Sequence, residues 1–237
     1  MRNILDPPFG RRAEETASVL PLSVLIARPQ ERHPVGGISK RLLDAILSFF
    51  ALLALLPVML GIALLIRSNG QGPVFFGHNR IGHGGRSYRC WKFRTMVPDS
   101  AAVLVRHLAH NPLAREEWEA TAKLRDDPRV TPLGSVLRRT SLDELPQLFN
   151  VLVGEMSLVG PRPVVAAELV RYGEAAADYL SARPGLTGLW QISGRSDTGY
   201  AQRVALDSAY VRGWSLPEDI RIMLRTVPVV LKTGGAY

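Results

Sequence analysis

Cysteine is almost absent from this chain of 237 residues, since Cys90 is the only one. A single cysteine excludes an intramolecular disulfide framework and any metal site built from clustered cysteines. It fits a protein that is kept in a reducing compartment. The sequence also lacks an internal repeat, a Walker phosphate loop, a dinucleotide-binding fingerprint and the G-x-S-x-G motif of hydrolases. No signature of those nucleotide-binding or hydrolase classes is therefore present.

Basic residues outnumber acidic ones. The chain has 29 Lys and Arg against 21 Asp and Glu, which gives a formal net charge of +8 and a pI near 10.1. Such a charge favours anionic partners: nucleic acid, anionic lipid headgroups or phosphorylated substrates. The length and a hydrophobic content of 46% fit one domain of ordinary size with an appendage.

The appendage is the N-terminal arm, residues 1–39. Its composition predicts a segment that is largely disordered or lies on a surface, because it offers little apolar material to bury. The one apolar patch is short, is interrupted by Pro21, and is not followed by a small-residue cleavage site. We therefore do not expect a secretory signal peptide.

A long apolar run follows the arm. Residues 45–66 contain no charge, and Ser48 is their only polar residue. As a helix this run would reach roughly 33 Å, the thickness of a bilayer's hydrocarbon core. The sequence thus predicts a membrane helix over residues 40–67, broken or bent at Pro57, whose ring removes a backbone hydrogen bond.

The charged residues at the two ends of this helix do not determine its membrane topology. Lys40 and Arg41 precede it and Arg67 follows it, so both ends favour the cytoplasmic side. A re-entrant helix would satisfy both flanks, but a spanning helix stays open. Residues 68–237 are expected to form the main domain, which follows this helix.

The stretch RRTSLDELP at residues 138–146 matches the start of a helix. Ser141, followed three residues later by Glu144 and then by apolar residues, has the pattern of a capping box. Asp143 and Glu144 would then lie in the first turn. Backbone N–H groups and the helix dipole keep a carboxylate ionised there, as a nucleophile or a metal ligand requires.

Arg138 and Arg139 stand just outside that turn, and guanidinium groups suit bidentate binding of phosphate. The combination suggests a site for a polyanion. Taken alone, however, the stretch is more typical of a plain helix cap.

A β-hairpin is expected next to the membrane helix. The first strand is predicted at residues 74–76, a glycine-rich loop at 77–85, and the second strand at 87–93. His78 and His83 have no third ligand at a useful spacing, so we do not expect a metal site there. Elsewhere the pattern predicts helices at residues 99–109, 115–124, 131–138, 164–180, 201–211 and 216–231.

Further basic residues occupy positions where they could meet an anion. Lys92 and Arg94 share one face of the second strand, which is either a solvated face or a phosphate contact. Arg162 lies in the rigid turn Gly-Pro-Arg-Pro. Arg195 ends a glycine-punctuated loop at residues 183–195, a type of loop that brings backbone N–H groups to ligands.

Four ordered motifs resemble those of one known family. They are WKFRTM at 91–96, DDPRVTPLG at 126–134, RRTSLDELPQLFNVLVGEMSLVGPRP at 138–163 and RPGLTGLWQISGR at 183–195. The chain resembles the bacterial sugar transferases, monotopic phosphoglycosyl transferases that prime exopolysaccharide or glycan assembly. The resemblance covers about residues 39–237 and is to the short members. It implies a mainly α fold with a small β-hairpin: a membrane-anchored α+β catalytic domain behind an N-terminal re-entrant hydrophobic helix.

The resemblance also implies roles for the site residues. Asp143 matches the nucleophile, which attacks the β-phosphate of a nucleotide diphosphate sugar, here expected to be a UDP-hexose. It carries the sugar phosphate covalently until a polyprenyl phosphate takes it over. Glu144 matches its partner in the dyad, which holds Mg²⁺ or activates the acceptor. Arg138, Arg162 and Arg195 match positions that grip phosphates, and Lys92, Arg94 and Arg139 are expected to join them in binding substrate.

The location implied by the resemblance is the bacterial inner membrane, with the catalytic domain on the cytoplasmic face. The expected partners are the nucleotide sugar, polyprenyl phosphate and membrane lipids but no nucleic acid, and a homo-oligomer is compatible with the resemblance. Many relatives have serine before the helix-breaking proline, whereas this chain has Leu56. How the carbonyl freed by Pro57 is satisfied is therefore left open.

Two alternatives remain at this point. A membrane-anchored basic adaptor would bind anionic lipid or nucleic acid without chemistry, in a salt-sensitive manner and independently of Asp143 and Glu144. An inactive relative that serves as a scaffold is the other alternative, and the intact pair of carboxylates argues against it.

Overall fold

The computed structural model describes residues 33–70, 72–121, 123–194 and 199–231. Most of the predicted N-terminal arm, and Arg195, lie outside these residues. The helices are α1 (Gly37–Ser68), α2 (Ser100–His110), α3 (Pro112–Thr121), α4 (Pro132–Arg139), α5 (Gln147–Val153), α6 (Ala166–Val170), α7 (Ala176–Ser181), α8 (Leu189–Ile192), α9 (Tyr200–Arg212) and α10 (Leu216–Leu231). The strands are β1 (Phe75–Ile81), β2 (Ser87–Phe93), β3 (Ser157–Val159) and β4 (Gly185–Thr187). The expected mainly helical fold is confirmed.

The apolar run forms α1, a single helix of 32 residues. Within the described parts of the chain, it is the one helix long and apolar enough to cross a membrane. It continues through Pro57 without interruption, so the predicted break between two helices is absent. Large apolar side chains along its middle, such as Leu53 and Leu56, are exposed. An apolar surface of this size calls for an apolar surrounding such as lipid.

The beginning of α1 is tied to the catalytic domain by polar side chains. Lys40 Nζ lies 2.6 Å from Asp219 Oδ2, and both residues are buried. Arg41 donates to the carbonyl oxygens of Val151 and Leu152, at 2.8 and 2.6 Å. These carbonyls end α5, where a cation meets the negative end of the helix dipole.

The other end of α1 returns to the same domain through apolar contacts. Ile62 and Ile66 are buried in a cluster with Phe93 and Leu137. Arg94 donates to the carbonyl oxygen of Ile66, at 3.3 Å. Both ends of α1 are therefore in contact with the same body, while its middle is exposed.

The hairpin is confirmed, with a longer first strand than predicted. β1 and β2 pair antiparallel, with His78 opposite Cys90. The first strand therefore takes in residues that were expected in the loop. The turn is correspondingly shorter and contains Gly84 and Gly85, which both have a positive φ that glycine adopts without steric cost.

A second pair of strands, β3 and β4, was not predicted. They run parallel, and the chain passes directly from β3 into the turn that carries Arg162. The two backbones approach so closely at Gly160 that a Cβ atom there would overlap the carbonyl oxygen of Arg183. Three-residue strands give no periodic signal, so the sequence could not reveal this pair.

Most of the remaining helices agree with the sequence to within one residue, but α3 begins and ends three residues earlier than predicted and α8 was not predicted. Thr131 caps α4, because its side-chain oxygen accepts a hydrogen bond from the Gly134 N–H, at 2.9 Å. The helix predicted over residues 164–180 is split into α6 and α7. Gly173, with φ 54°, separates them, since a left-handed residue interrupts the helical hydrogen bonds.

Candidate active site

The two carboxylates of the dyad lie on a 3₁₀ turn, Leu142–Glu144, just ahead of α5. The predicted capping box is wrong. Ser141 has a left-handed backbone with φ 56°, and its side chain makes no capping hydrogen bond. This conformation costs an L-residue roughly 1–2 kcal/mol. The rest of the fold must therefore hold the turn in place.

Apolar contacts hold the turn in this conformation. Leu142 and Leu145, three residues apart, pack against the buried cluster that contains Phe93 and Leu137. Side chains at this spacing share one side of a 3₁₀ turn. These contacts of the two partly buried leucines fix the turn that carries Asp143 and Glu144.

Lys92 on β2 bridges the two carboxylates. Its Nζ lies 2.6 Å from Glu144 Oε1 and 3.7 Å from Asp143 Oδ2. Burial of Asp143, which is only 7% exposed, raises the pKa of its carboxyl, while Lys92 opposes the shift and Glu144 adds to it. Burial alone would lower the pKa of Lys92. The charges of Glu144 and Asp143 outweigh burial, so the pKa of Lys92 is raised. Lys92 thus balances part of the negative charge of the two carboxylates.

The other predicted cations near the dyad separate into two groups. Arg138 lines the cleft, donates from Nε to Thr95 Oγ1 at 2.9 Å, and acts electrostatically on Asp143. Arg139 is exposed and does not line the cleft. Arg94 lines the cleft, but its guanidinium donates to the end of α1. The structure thus brings Lys92 and Arg138 to the dyad and does not bring Arg139 there.

Arg162 approaches from the opposite wall of the cleft. Its guanidinium lies 5.2 Å from the centroid of the Trp190 ring, and its Nε is buried without a hydrogen-bond partner. Burial, and next the charge of Arg203, lower the pKa of Arg162. The backbone just before Arg162 is held by two hydrogen bonds: the Gly160 N–H donates to the carbonyl oxygen of Thr187, and the Gly185 N–H donates to that of Pro161.

Asp207 on α9 is a buried carboxylate behind this wall. It accepts hydrogen bonds from the Tyr172 hydroxyl, at 2.9 Å, and from the Arg162 backbone N–H. Burial raises the pKa of Asp207 to about 7, although both hydrogen bonds oppose the shift. Asp207 therefore holds the backbone of Arg162 in position.

These side chains surround one open cleft of about 2250 Å³. This volume exceeds the usual 300–1,000 Å³ of a small-molecule site and leaves room for two large substrates in turn. Four residues that shape one wall were not singled out from the sequence: Trp190, Gln191, Arg203 and Asp207. The first two lie in the glycine-rich loop already noted, and the last two are four residues apart on one face of α9, a spacing that could have indicated them.

The predicted metal ligands have a chemistry that suits Mg²⁺. This ion is usually bound by one or two carboxylates together with substrate phosphates and water. Asp143 and Glu144 provide two carboxylates, with Lys92 between them. The described residues contain no cluster of three or more metal-ligating side chains. The dyad could therefore hold Mg²⁺ with the phosphates of a substrate but does not form an all-protein cage.

Comparison with known proteins adds to this geometry. The model of the family "Bacterial sugar transferase" matches residues 35–233. The chain is 54% identical over 212 residues to the exopolysaccharide production protein ExoY of Sinorhizobium fredii, covering 88% of this chain and 94% of that protein. It is 50% identical to the undecaprenyl-phosphate galactose phosphotransferase of Salmonella typhimurium, over 84% of this chain but 41% of that protein. It is 41% identical to the UDP-glucose:undecaprenyl-phosphate glucose-1-phosphate transferase of Caulobacter vibrioides, over 84% of this chain and 72% of that protein.

Proposed function

Because the chain belongs to the bacterial sugar transferase family, we propose that it transfers a sugar 1-phosphate from a UDP-hexose to a polyprenyl phosphate. As a member of this family it is a phosphoglycosyl transferase. The product, a polyprenyl diphosphate sugar, would prime exopolysaccharide assembly. Relatives named for galactose and for glucose support a hexose donor.

The proposed reaction has two steps at Asp143. In the first, a carboxylate oxygen of Asp143 bonds to the β-phosphorus, the bond from that phosphorus to the bridging oxygen breaks, and UMP leaves with the electron pair. In the second, an oxygen of the polyprenyl phosphate attacks the same phosphorus and releases the Asp143 carboxylate. A covalent intermediate lets a soluble donor and a membrane-bound acceptor use one cleft in turn.

One observation carries this proposal: the buried carboxylate of Asp143 lies 3.7 Å from the ammonium of Lys92, in a cleft also lined by Arg138 and Arg162. Phosphoryl transfer depends chiefly on positioning and on neutralising charge. Lys92 keeps the nucleophile charged, and the two arginines can neutralise phosphate oxygens. Arg195, outside the described residues, is proposed to assist them on the strength of the family resemblance.

Mg²⁺ is the proposed cofactor, held by Asp143 and Glu144 together with the substrate's phosphates. When bound, it would reduce the negative charge that the incoming diphosphate adds to the dyad. Lys92 lies between the same two carboxylates and would have to share them with the metal.

The proposed location is the cytoplasmic face of the bacterial inner membrane, with α1 as a re-entrant anchor. Two observations support a re-entrant rather than a spanning helix. Lys40 and Ile66, close to opposite ends of α1, are both buried. The residues that bury them, Asp219 and Phe93, belong to one catalytic domain. Such an anchor would place the dyad near the depth of lipid phosphates.

The test of the proposed function uses Asp143→Asn in membranes supplied with UDP-hexoses, polyprenyl phosphate and Mg²⁺. We expect the release of UMP to be abolished, because an amide cannot form the acyl phosphate. Asp99→Asn, an exposed carboxylate outside the cleft, is the matched control and should keep the wild-type rate. Release of UMP by Asp143→Asn at the wild-type rate would overturn the proposal.

The alternative of a basic adaptor is not favoured. It predicts salt-sensitive binding of anionic lipid or nucleic acid that ignores Asp143 and Glu144. A polyanion site without chemistry gains nothing from two carboxylates in its centre, and the relatives are named as transferases.

A further inference from the structure

The wall of the cleft opposite the dyad contains polar atoms without partners. Arg162 Nε, Arg203 Nε, Trp190 Nε1 and Gln191 Oε1 are all buried and make no hydrogen bond. All four residues line the cleft. Each unpaired buried group costs roughly 1–3 kcal/mol, and most buried polar groups in native proteins are paired. Four such atoms together indicate a binding site for a ligand.

The charge of this wall identifies the chemistry of that ligand. Arg162 and Arg203 lie 5.2 and 5.7 Å from the centroid of the same Trp190 ring, so two guanidiniums share a small space. The Glu168 carboxylate is 3.4 Å from Arg203 and is also only 3.5 Å from Arg80. Asp207 behind the same wall is a second carboxylate near Arg162 and Arg203, and two carboxylates against three guanidiniums still leave an excess of positive charge. An anion with several acceptor oxygens would neutralise it, and phosphate fits the planar donors of arginine.

The position of the wall relative to the dyad shows which phosphate it would take. The charge of Arg138 acts on Asp143, and Arg162, which lines the same cleft, interacts electrostatically with Glu144. The phosphoryl group in transit must lie at Asp143. The wall is therefore placed for a second phosphoryl group, beside the one that is transferred.

We propose that Arg203, together with Arg162, Trp190 and Gln191, forms a second phosphate subsite that binds the phosphoryl group not being transferred. This inference rests on the proposed function. In the first step that group is the phosphate of the departing UMP, and in the second it is the phosphate of the polyprenyl acceptor. Both are phosphate monoesters, and the two half-reactions distinguish them.

The experiment compares Arg203→Gln with Arg203→Lys in the full-length enzyme. UMP release without acceptor is measured against the concentration of UDP-galactose or UDP-glucose, whichever the wild type turns over. Transfer from the loaded enzyme is measured against the concentration of undecaprenyl phosphate. Arg203→Gln should raise the KM of both half-reactions by about tenfold or more, because a hydrogen bond to a charged group is lost in each. Arg203→Lys keeps the charge and should lie between. Arg106→Gln, an exposed arginine outside the cleft, should match the wild type.

Each outcome decides the inference. A raised KM in both half-reactions supports the subsite as proposed. A raised KM for the UDP-hexose alone restricts the subsite to the donor, and a raised KM for undecaprenyl phosphate alone restricts it to the acceptor; either result overturns its use in both steps. If neither KM changes, or if only kcat falls by the same factor in both steps, the subsite does not exist. If thermal unfolding shows that Arg203→Gln is not folded, Arg203→Lys is judged by the KM values of the same two half-reactions. If the wild type is active and Arg203→Gln leaves both KM values unchanged, this inference alone is refuted. If Asp143→Asn is active, the proposed function is refuted.

Discussion

At the scale of single residues, Lys92 acts on the charge of Asp143, the proposed nucleophile. Burial by itself pushes the pKa of Asp143 upward, and the neighbouring carboxylate of Glu144 pushes it further. The ammonium of Lys92, 3.7 Å away, is the largest opposing influence. A nucleophilic carboxylate must be ionised, so activity depends on this one charge.

Substitution Lys92→Gln should therefore move the acidic limb of the pH–rate profile to higher pH. Without the ammonium the pKa of Asp143 rises further, and the ionised form is lost earlier as pH falls. The measurement is kcat/KM for the UDP-hexose across the acidic and neutral range, which reports groups of the free enzyme. Lys92→Arg keeps the positive charge and should leave the limb near its wild-type position. A limb unmoved by Lys92→Gln would contradict this account.

At the scale of elements, α1 positions the parts of the catalytic domain that carry the site. Arg41 binds the last carbonyls of α5, the helix that follows the dyad turn. Asp44 accepts the Leu158 N–H of β3 at 3.0 Å, and β3 leads into the turn of Arg162. One side chain of α1 thus holds the element after the dyad, and another holds the element before Arg162, the proposed phosphate-binding residue.

Removing the first of these contacts should loosen α5. Arg41→Gln loses two hydrogen bonds from a charged donor, which we expect to lower the free energy of unfolding by about 1–3 kcal/mol. Thermal unfolding of the detergent-solubilised protein and hydrogen exchange of the α5 amides measure the effect. Arg67→Gln, an exposed arginine near the other end of α1, is the control. Equal unfolding temperatures for the two variants would mean that the contacts of Arg41 contribute nothing.

For the whole molecule, the question is how the catalytic domain lies against the membrane. The two ends of α1 contact one domain, and the basic residues Lys40, Arg41 and Arg67 flank it on both sides. Positive flanks favour the cytoplasmic side of a membrane. The proposed re-entrant α1 would satisfy the contacts and the charges together.

Cysteines placed at Ser39 and Ser68, both exposed, test that arrangement. In intact cells a membrane-impermeant maleimide should label neither position, and after lysis it should label both. The parent with Cys90 gives a low background, because burial raises the pKa of this thiol to about 11. Labelling of one position from outside would instead establish a helix that spans the membrane.

The sequence by itself determined the features that depend on near neighbours. The apolar run of α1, the capping of α4 by Thr131 and the hairpin follow from composition and from contacts a few residues apart. The motif around Asp143 and Glu144, together with three other motifs, was enough to indicate the family. These features depend on residues close together in sequence, so they can be recognised without the structure.

Only the tertiary structure decided which side chains meet. Lys92 lies 52 residues from Glu144 in sequence yet contacts it, Arg139 faces outward, and Arg203 joins Arg162 across the cleft wall. The strained φ of Ser141 replaced the helix start that its pattern predicted. In each case the outcome depends on the packing of distant elements, chiefly the burial of Leu142 and Leu145. The direction of a side chain depends on which residues the whole fold buries. No short-range pattern in the sequence gives that information.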